Sequence, residues 1–344
     1  MKNVKLVADN RFDIFEEEIP TPDERNNVLI KIASVGVCGS DMHYFKHGRI
    51  GSDVINFPFT IGHEASGYIE KITGDAEGLK VGQLVAIEPA VTCGECDQCK
   101  AGRPHTCRHN MFIGGAGQLE GLTREFVTVP SENVFVVPQD FTPDEATFVE
   151  PMSIGAYAVK LGDISLDDNI GIIGVGPIGM SALLSLKYAG SSKHYIWDKL
   201  DYRLEYARET NVLWTGNPDK INIEKELTEI LPEGLDVVFE CCGDQDAIDT
   251  ALKVLKPGGK LVIVGIPPQD RISFDMNLMR RKEIAIINVR RQNHTVPDAI
   301  KIIDHFRPLS DHLITHVFGY ENTNEAFRTV SEYADKVVKA IIKF

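Results

Sequence analysis

The sequence predicts an α/β protein in two parts, a β-rich region followed by a doubly wound parallel sheet. Three observations predict it. Short β-branched runs punctuated by Gly and Pro fill the first 150 residues, a strand–helix alternation begins near residue 153, and a G-x-G-x-x-G turn follows the first strand of that alternation. With 344 residues and 43% hydrophobic content, the chain can bury two cores. The formal net charge of −14 would repel phosphate backbones and anionic lipid, so nucleic acid and membrane surfaces are excluded as partners and a small neutral substrate is expected.

The β-rich part contains VLIKIASVGVCG, GYIEKI and QLVAIEP, each reading as a strand. From residue 153 the chain reads as helix (GAYAVKLGDI), buried strand (NIGIIGVG) and helix (PIGMSALLSLKYAG). The alternation continues with HYIWDK as strand, YRLEYARETN as helix ending before VLWTG, LDVVFECCG as strand and DAIDTALKVL as helix. KPGG then reads as a turn and KLVIVGIP as another strand. After about residue 290 the rhythm is lost, and KVVKAIIKF reads as a strand. The opening MKNVKLVADN lacks the apolar run of a signal peptide, and no stretch approaches the length of a membrane helix, so a cytoplasmic protein is expected. In a reducing cytosol the seven cysteines are metal ligands or buried thiols, not a disulfide framework.

Four of them explain themselves by spacing. Cys93, Cys96, Cys99 and Cys107 form a C-x2-C-x2-C-x7-C loop, 93–107, able to wrap a tetrahedral ion with four thiolates and leave no open position. That describes a structural zinc; an iron–sulfur cluster uses similar spacings, but the loop is polar. A second set lies in CGSDMHYF, TIGHEASG and FVEPMS: Cys38, His63, Glu64 and Glu150. One thiolate, one imidazole and one or two carboxylates leave room for substrate, the mark of a catalytic zinc. Neighbours on an extended strand point to opposite faces, so His63 and Glu64 can both ligate only if the backbone bends at Gly62. Either Glu64 is the third ligand, with Glu150 reaching the metal directly or through water, or Glu150 is the ligand and Glu64 lies behind it. Asp41 is placed to orient His63, while Ser40 and His43 can take the substrate's proton and pass it outward.

The dinucleotide turn is Gly174, Gly176 and Gly179 in IGIIGVGPIGM. The first glycine permits the tight turn, the second admits a pyrophosphate, and the third lets helix and strand pack. Asp198 ends the next strand, where a carboxylate accepts hydrogen bonds from the adenine ribose and repels a 2′-phosphate, so NAD is expected over NADP. Lys199 and Arg203 follow closely and soften that preference. Cys241 and Cys242 read as buried strand-end thiols.

In order along the chain, CGSDMHYFKHGRIG, GHEASG, VGQLVAIEP, the four-cysteine loop, FVEPMSIG, GVGPIGM, DKLDYRLEYA and KPGGKLVIVG resemble the medium-chain zinc dehydrogenases over essentially the full length. Within them, CGSDxHY-x3-GRIG and VEP look most like sorbitol dehydrogenase and its polyol relatives. The resemblance implies a GroES-like catalytic domain from residues 1–152 and 290–344, with a Rossmann NAD-binding domain at 153–289. It implies one catalytic and one structural zinc per chain, Cys38, His63 and Glu64 as catalytic ligands, and Glu150 beside that zinc. It further implies that Tyr44 and Arg291 meet the polyol, and that Ile178, Asp198, Arg203, Val264, Gly265, Ile266, Val289, Arg290 and Arg291 line NAD. A homotetramer or homodimer is implied as well.

One segment departs from the pattern. Where the relatives read FRxxNTWP, this chain reads RRQNHTVP, and Arg290, Gln292, His294 and Val296 change the pocket's chemistry. The departure points to an acidic sugar, an inositol-like ring or a threonine-like amino alcohol as alternatives to sorbitol. The rival readings are an NADP-linked reductase on the same scaffold and a non-catalytic NAD- or sugar-binding protein. Asp198 argues against the first, and the joint presence of Cys38, Ser40, His43, His63 and Glu64 with an intact phosphate turn argues against the second.

Overall fold

Apolar residues at almost every position make Val28–Gly36 the centre of a sheet: only Lys31 and Ala33 escape full burial. Antiparallel partners lie along it at Glu64–Ile72, Phe126–Val129 and Lys339–Lys343. Leu84–Ile87 and Val134–Val136 extend the sheet beyond Glu64–Ile72, and Ile314–Gly319 extends it beyond Lys339–Lys343. The computed structural model describes residues 1–267, 269, 271–307 and 312–344. By contact density the chain divides into two units, the first being Met1–Glu150 with Arg307–Phe344 and the second Pro151–Phe306. The core of the first unit includes Ile30, Ile32, Phe45, Ile61, Ile69, Phe327 and Ile342. Residues more than 300 apart in sequence are thus neighbours, with Ile341 opposite Gly36 in the ladder.

The second unit is a six-stranded parallel sheet. Its order is Trp214–Gly216, His194–Trp197, Ile170–Ile173, Leu235–Glu240, Leu255–Ile263 and Ala285–Asn288. The strand IGII is buried at all four positions, as a strand covered by helices on both faces must be. Pro177 starts the helix Pro177–Tyr188, where its missing N–H costs nothing and its fixed φ suits the first turn.

The structure differs from the expected boundaries in three places. Residues 290–306 belong to the second unit, because Val296–His305 is an amphipathic helix that buries Val296, Ala299, Ile302 and Ile303 and packs on Pro177–Tyr188. The KPGG segment is not a separate turn: Leu255–Ile263 runs through it as one strand, with a register irregularity opposite Leu235 and Val237. Trp214–Gly216 inside VLWTG adds the edge strand of the sheet. Among the described residues, no helix is long and apolar enough to cross a membrane.

Candidate active site

Three elements of the first unit assemble the metal-type donors. Cys38 precedes the helix Gly39–His47, and its N–H donates to Asp41 Oδ2 at 3.3 Å, a cap that fixes the start of the helix. Gly62 takes φ +93°, and a methyl group there would lie 2.6 Å from Thr123 Oγ1, so the bend that frees both His63 and Glu64 needs glycine. Glu64 then opens the strand Glu64–Ile72. One donor atom from each of Cys38, His63 and Glu64 lies within 4.8 Å of the others. Glu150, in the first turn of Val149–Gly162, lies outside that group.

The charges around this group are arranged in layers. His63 Nδ1 lies 3.3 Å from Asp41 Oδ1, which leaves Nε2 as the other ligand nitrogen. Burial opposes a charged imidazole, yet Asp41 and Cys38 outweigh it and raise His63 well above the usual histidine value. Glu64 Oε2 meets the ammonium of Lys339, a lysine only 1% exposed that also donates to the carbonyl of Val37 at 3.1 Å. Gly36 makes room for this pair, since a methyl there would lie 2.3 Å from Glu64 Oε2 and 3.0 Å from Lys339 Cε. Burial pushes the Glu150 carboxyl up to about 8, with Glu64 and Glu88 adding to the rise and His63 and Lys339 opposing it. Ser40 Oγ donates to Cys38 Sγ at 3.3 Å. His43 is one turn along the same helix and therefore on the same face.

Sequence reasoning missed Lys339, Gly36 and Phe112, whose ring centroid lies 5.3 Å from that of His63. A lysine directly before the apolar run Ala340–Ile342 was the available signal for the first. Tyr44 is buried in the core, and its hydroxyl accepts the N–H of Ala116 at 3.1 Å.

The four-cysteine loop closes on itself. Sulfur separations are 3.4 Å (Cys93–Cys107), 3.6 Å (Cys96–Cys99) and 3.8 Å (Cys96–Cys107). Four sulfurs about 2.3 Å from one zinc stand about 3.8 Å apart, so the donor set fits a tetrahedral ion. Backbone N–H groups of Arg108 and Cys99 draw the Cys96 thiol down to about 6. Asp97 and Arg108 clamp the loop from outside with paired contacts of 2.5 and 2.9 Å.

In the second unit, the turn after Ile170–Ile173 holds Gly174 at φ +78°. A methyl at Gly179 would lie 1.9 Å from the Gly174 carbonyl oxygen, and one at Gly176 would lie 3.1 Å from Arg203 Nη1. Asp198 is buried; its Oδ2 accepts the N–H of Val175 at 2.7 Å and its Oδ1 that of Leu200 at 2.8 Å, which aims the carboxylate at the turn. Arg203 Nη1 stands 3.9 Å from Asp198 Oδ2. The cradle therefore suits a dinucleotide. Ile178 sits in the first turn of Pro177–Tyr188, Val264–Ile266 follows Leu255–Ile263, and Val289 N–H donates to the Ile263 carbonyl at 2.9 Å. Arg290 is exposed, Arg291 and His294 take φ 55° and 57°, and Gln292 Oε1 accepts the N–H of Thr295 at 3.0 Å.

Comparison with known proteins matches residues 24–139 to an alcohol dehydrogenase GroES-like domain and 177–305 to a zinc-binding dehydrogenase domain. The chain is 32% identical to sorbitol dehydrogenase of Bacillus subtilis, over 99% of this chain and 97% of that one. It is 30% identical to D-xylulose reductase of Saccharomyces cerevisiae, over 99% and 97% respectively. A crystal structure of an Escherichia coli oxidoreductase of unknown specificity superposes with a TM-score of 0.93 at 28% identity, covering 99% of this chain and 98% of that one. With both domain models in place and full-length identity above 30%, the chain belongs to the zinc-dependent medium-chain alcohol dehydrogenase family, close to its sorbitol dehydrogenases.

Proposed function

We propose that this enzyme oxidises a secondary hydroxyl of a polyol or sugar-derived alcohol to the ketone, with zinc at Cys38, His63 and Glu64 and NAD as the acceptor. The observation that carries the reading is the three-donor group within 4.8 Å, with His63 and Glu64 buried, Cys38 half-buried and the Ser40 hydroxyl 3.3 Å from Cys38 Sγ. A thiolate, a carboxylate and an imidazole would supply three ligands to a dication and leave a position open. When bound, zinc supplies Lewis acidity to the substrate hydroxyl and NAD takes up the carbinol hydride.

The chain's own residues manage the proton. Ser40 accepts it from the hydroxyl and hands it to His43. Burial, followed by the charges of His47 and Lys46, holds His43 below the usual imidazole value, so it is neutral at pH 7 and ready to accept. Glu150, close enough to His63 and Glu64 to respond to their charges, serves as the substrate-side carboxyl. Cys93, Cys96, Cys99 and Cys107 hold a second zinc that fixes their loop. The carboxylate of Asp198 supports NAD over NADP. The adjacent Arg290 and Arg291 favour, as a second reading, an acidic sugar as the substrate.

NADH formation followed at 340 nm across sorbitol, xylitol, galactitol, inositols, aldonates and threonine tests the reading. Turnover with NAD that a chelator abolishes is expected, and silence with both NAD and NADP in zinc-loaded protein would refute it. Glu150→Gln should lower turnover far more than NAD affinity; unchanged turnover removes Glu150 from the reaction. The seven unpaired cysteines support a reducing, cytoplasmic setting, and the family resemblance supports a homodimer or homotetramer, which sedimentation would resolve.

A further inference from the structure

The strand order of the second unit reverses between Ile170–Ile173 and Leu235–Glu240, and ligands of such sheets bind outside the strand ends at that switch point. Glu240 is the last residue of the second of these strands and pairs in register with Ile173, immediately before Gly174. Its side chain is fully buried. Oε1 accepts the N–H groups of Cys242 and Gly243, both at 2.7 Å, and the Cys242 thiol at 2.9 Å. Three donors thus converge on this one oxygen. Oε2 is buried and has no hydrogen-bond partner.

Four other buried carboxylates lie beside a cation or a histidine: Asp41 by His63, Glu64 by Lys339, Glu145 by Arg307, Asp198 by Arg203; a fifth, Glu150, is pushed up to about 8 by its burial. Among the described residues, none of the ion pairs reaches Glu240, so its charge is uncompensated at the edge where the cofactor binds. The backbone of Glu240 also ties that edge together, since its carbonyl accepts the N–H groups of Val264 at 2.8 Å and Gly265 at 3.0 Å. A methyl at Gly265 would lie 2.8 Å from Oε2 and 2.2 Å from the Gly243 nitrogen, so the two loops leave no space there for a side chain.

Asp198 marks the adenosine half, which lies over the strands on its side of the Gly turn. The nicotinamide half then falls over the ends of Leu235–Glu240 and Leu255–Ile263. That half carries a cationic ring when oxidised and a neutral one when reduced. We infer that Glu240 is a positioning residue whose buried negative charge favours the oxidised over the reduced cofactor on this protein. The inference rests on the dinucleotide reading above.

The test is the ratio of dissociation constants, Kd for NAD over Kd for NADH, measured by fluorescence titration on zinc-loaded full-length protein. Glu240→Gln keeps an acceptor for the loop N–H groups and removes the charge, and the ratio should rise by roughly fivefold or more. That is the scale of a unit charge acting over on the order of 10 Å at an effective dielectric of about 20–40. Glu240→Asp and Glu240→Asn give the same comparison at equal size if the Gln variant does not fold, with the higher ratio expected in Asn. Loosened loops would weaken both forms alike, so an unchanged ratio in the neutral variants overturns the charge effect. Wild-type protein that binds neither form refutes the dinucleotide reading itself, and the inference with it.

Discussion

Lys339 and Glu64 form an ion pair in which both side chains are 1% exposed, so each charge depends on the other for the solvation it has lost. Lys339→Met should destabilise the protein by about 3–5 kcal/mol, because it leaves a buried carboxylate without its cation. Lys339→Met combined with Glu64→Gln should recover most of that loss, and urea unfolding of the single and double variants, all stripped of metal, measures the coupling. His194 is a second buried titratable residue, with Nε2 3.2 Å from Ser191 Oγ. Burial, aided by Lys187, lowers its imidazole from 6.5 to about 4. The folded state therefore keeps His194 neutral while the unfolded chain takes up a proton below about pH 6.5. Its contribution is present above that pH and is lost as pH falls towards 4, on the order of 3 kcal/mol in all. Chemical unfolding at stepped pH should show a shallower decline between pH 6.5 and 4 in His194→Gln than in the wild type; parallel declines would refute this assignment.

At the scale of elements, the legibility of the sequence followed how much of each signal is local. The Gly174–Gly179 turn and the strand IGII are defined by neighbours, so pattern and spacing identified them, as they did the four-cysteine loop. The bend at Gly62 was likewise foreseeable, since two adjacent ligands cannot leave one face of a strand. Lys339 was not, because its partner Glu64 lies 275 residues away and a lysine in a strand ordinarily faces water. The helix Val296–His305 escaped notice because its apolar face becomes meaningful only once Pro177–Tyr188 is there to receive it. Cys96→Ser should lower the zinc content by one ion per chain while leaving polyol turnover detectable, as metal analysis and the 340 nm assay would show. Gly179→Ala places a methyl where 1.9 Å is available, and should cost about 1–3 kcal/mol of stability along with a large loss of NAD affinity, read by melting and fluorescence titration.

The whole molecule is two units threaded by one chain, which leaves the first unit after Glu150 and re-enters it at Arg307. All the strands of the parallel sheet lie within one continuous stretch, whereas the sheet around Val28–Gly36 needs Lys339–Lys343 to complete it. This returning strand carries the ammonium that meets Glu64, so the metal-type group and the sheet are completed by the same residues. During synthesis, the dinucleotide-binding unit is free to fold as soon as residue 306 has emerged. The earlier-made unit must wait, with its central strand missing one neighbour, until residues 339–343 follow. The half that begins first is therefore the half that finishes last, because its final strand follows the whole of the other unit in the chain.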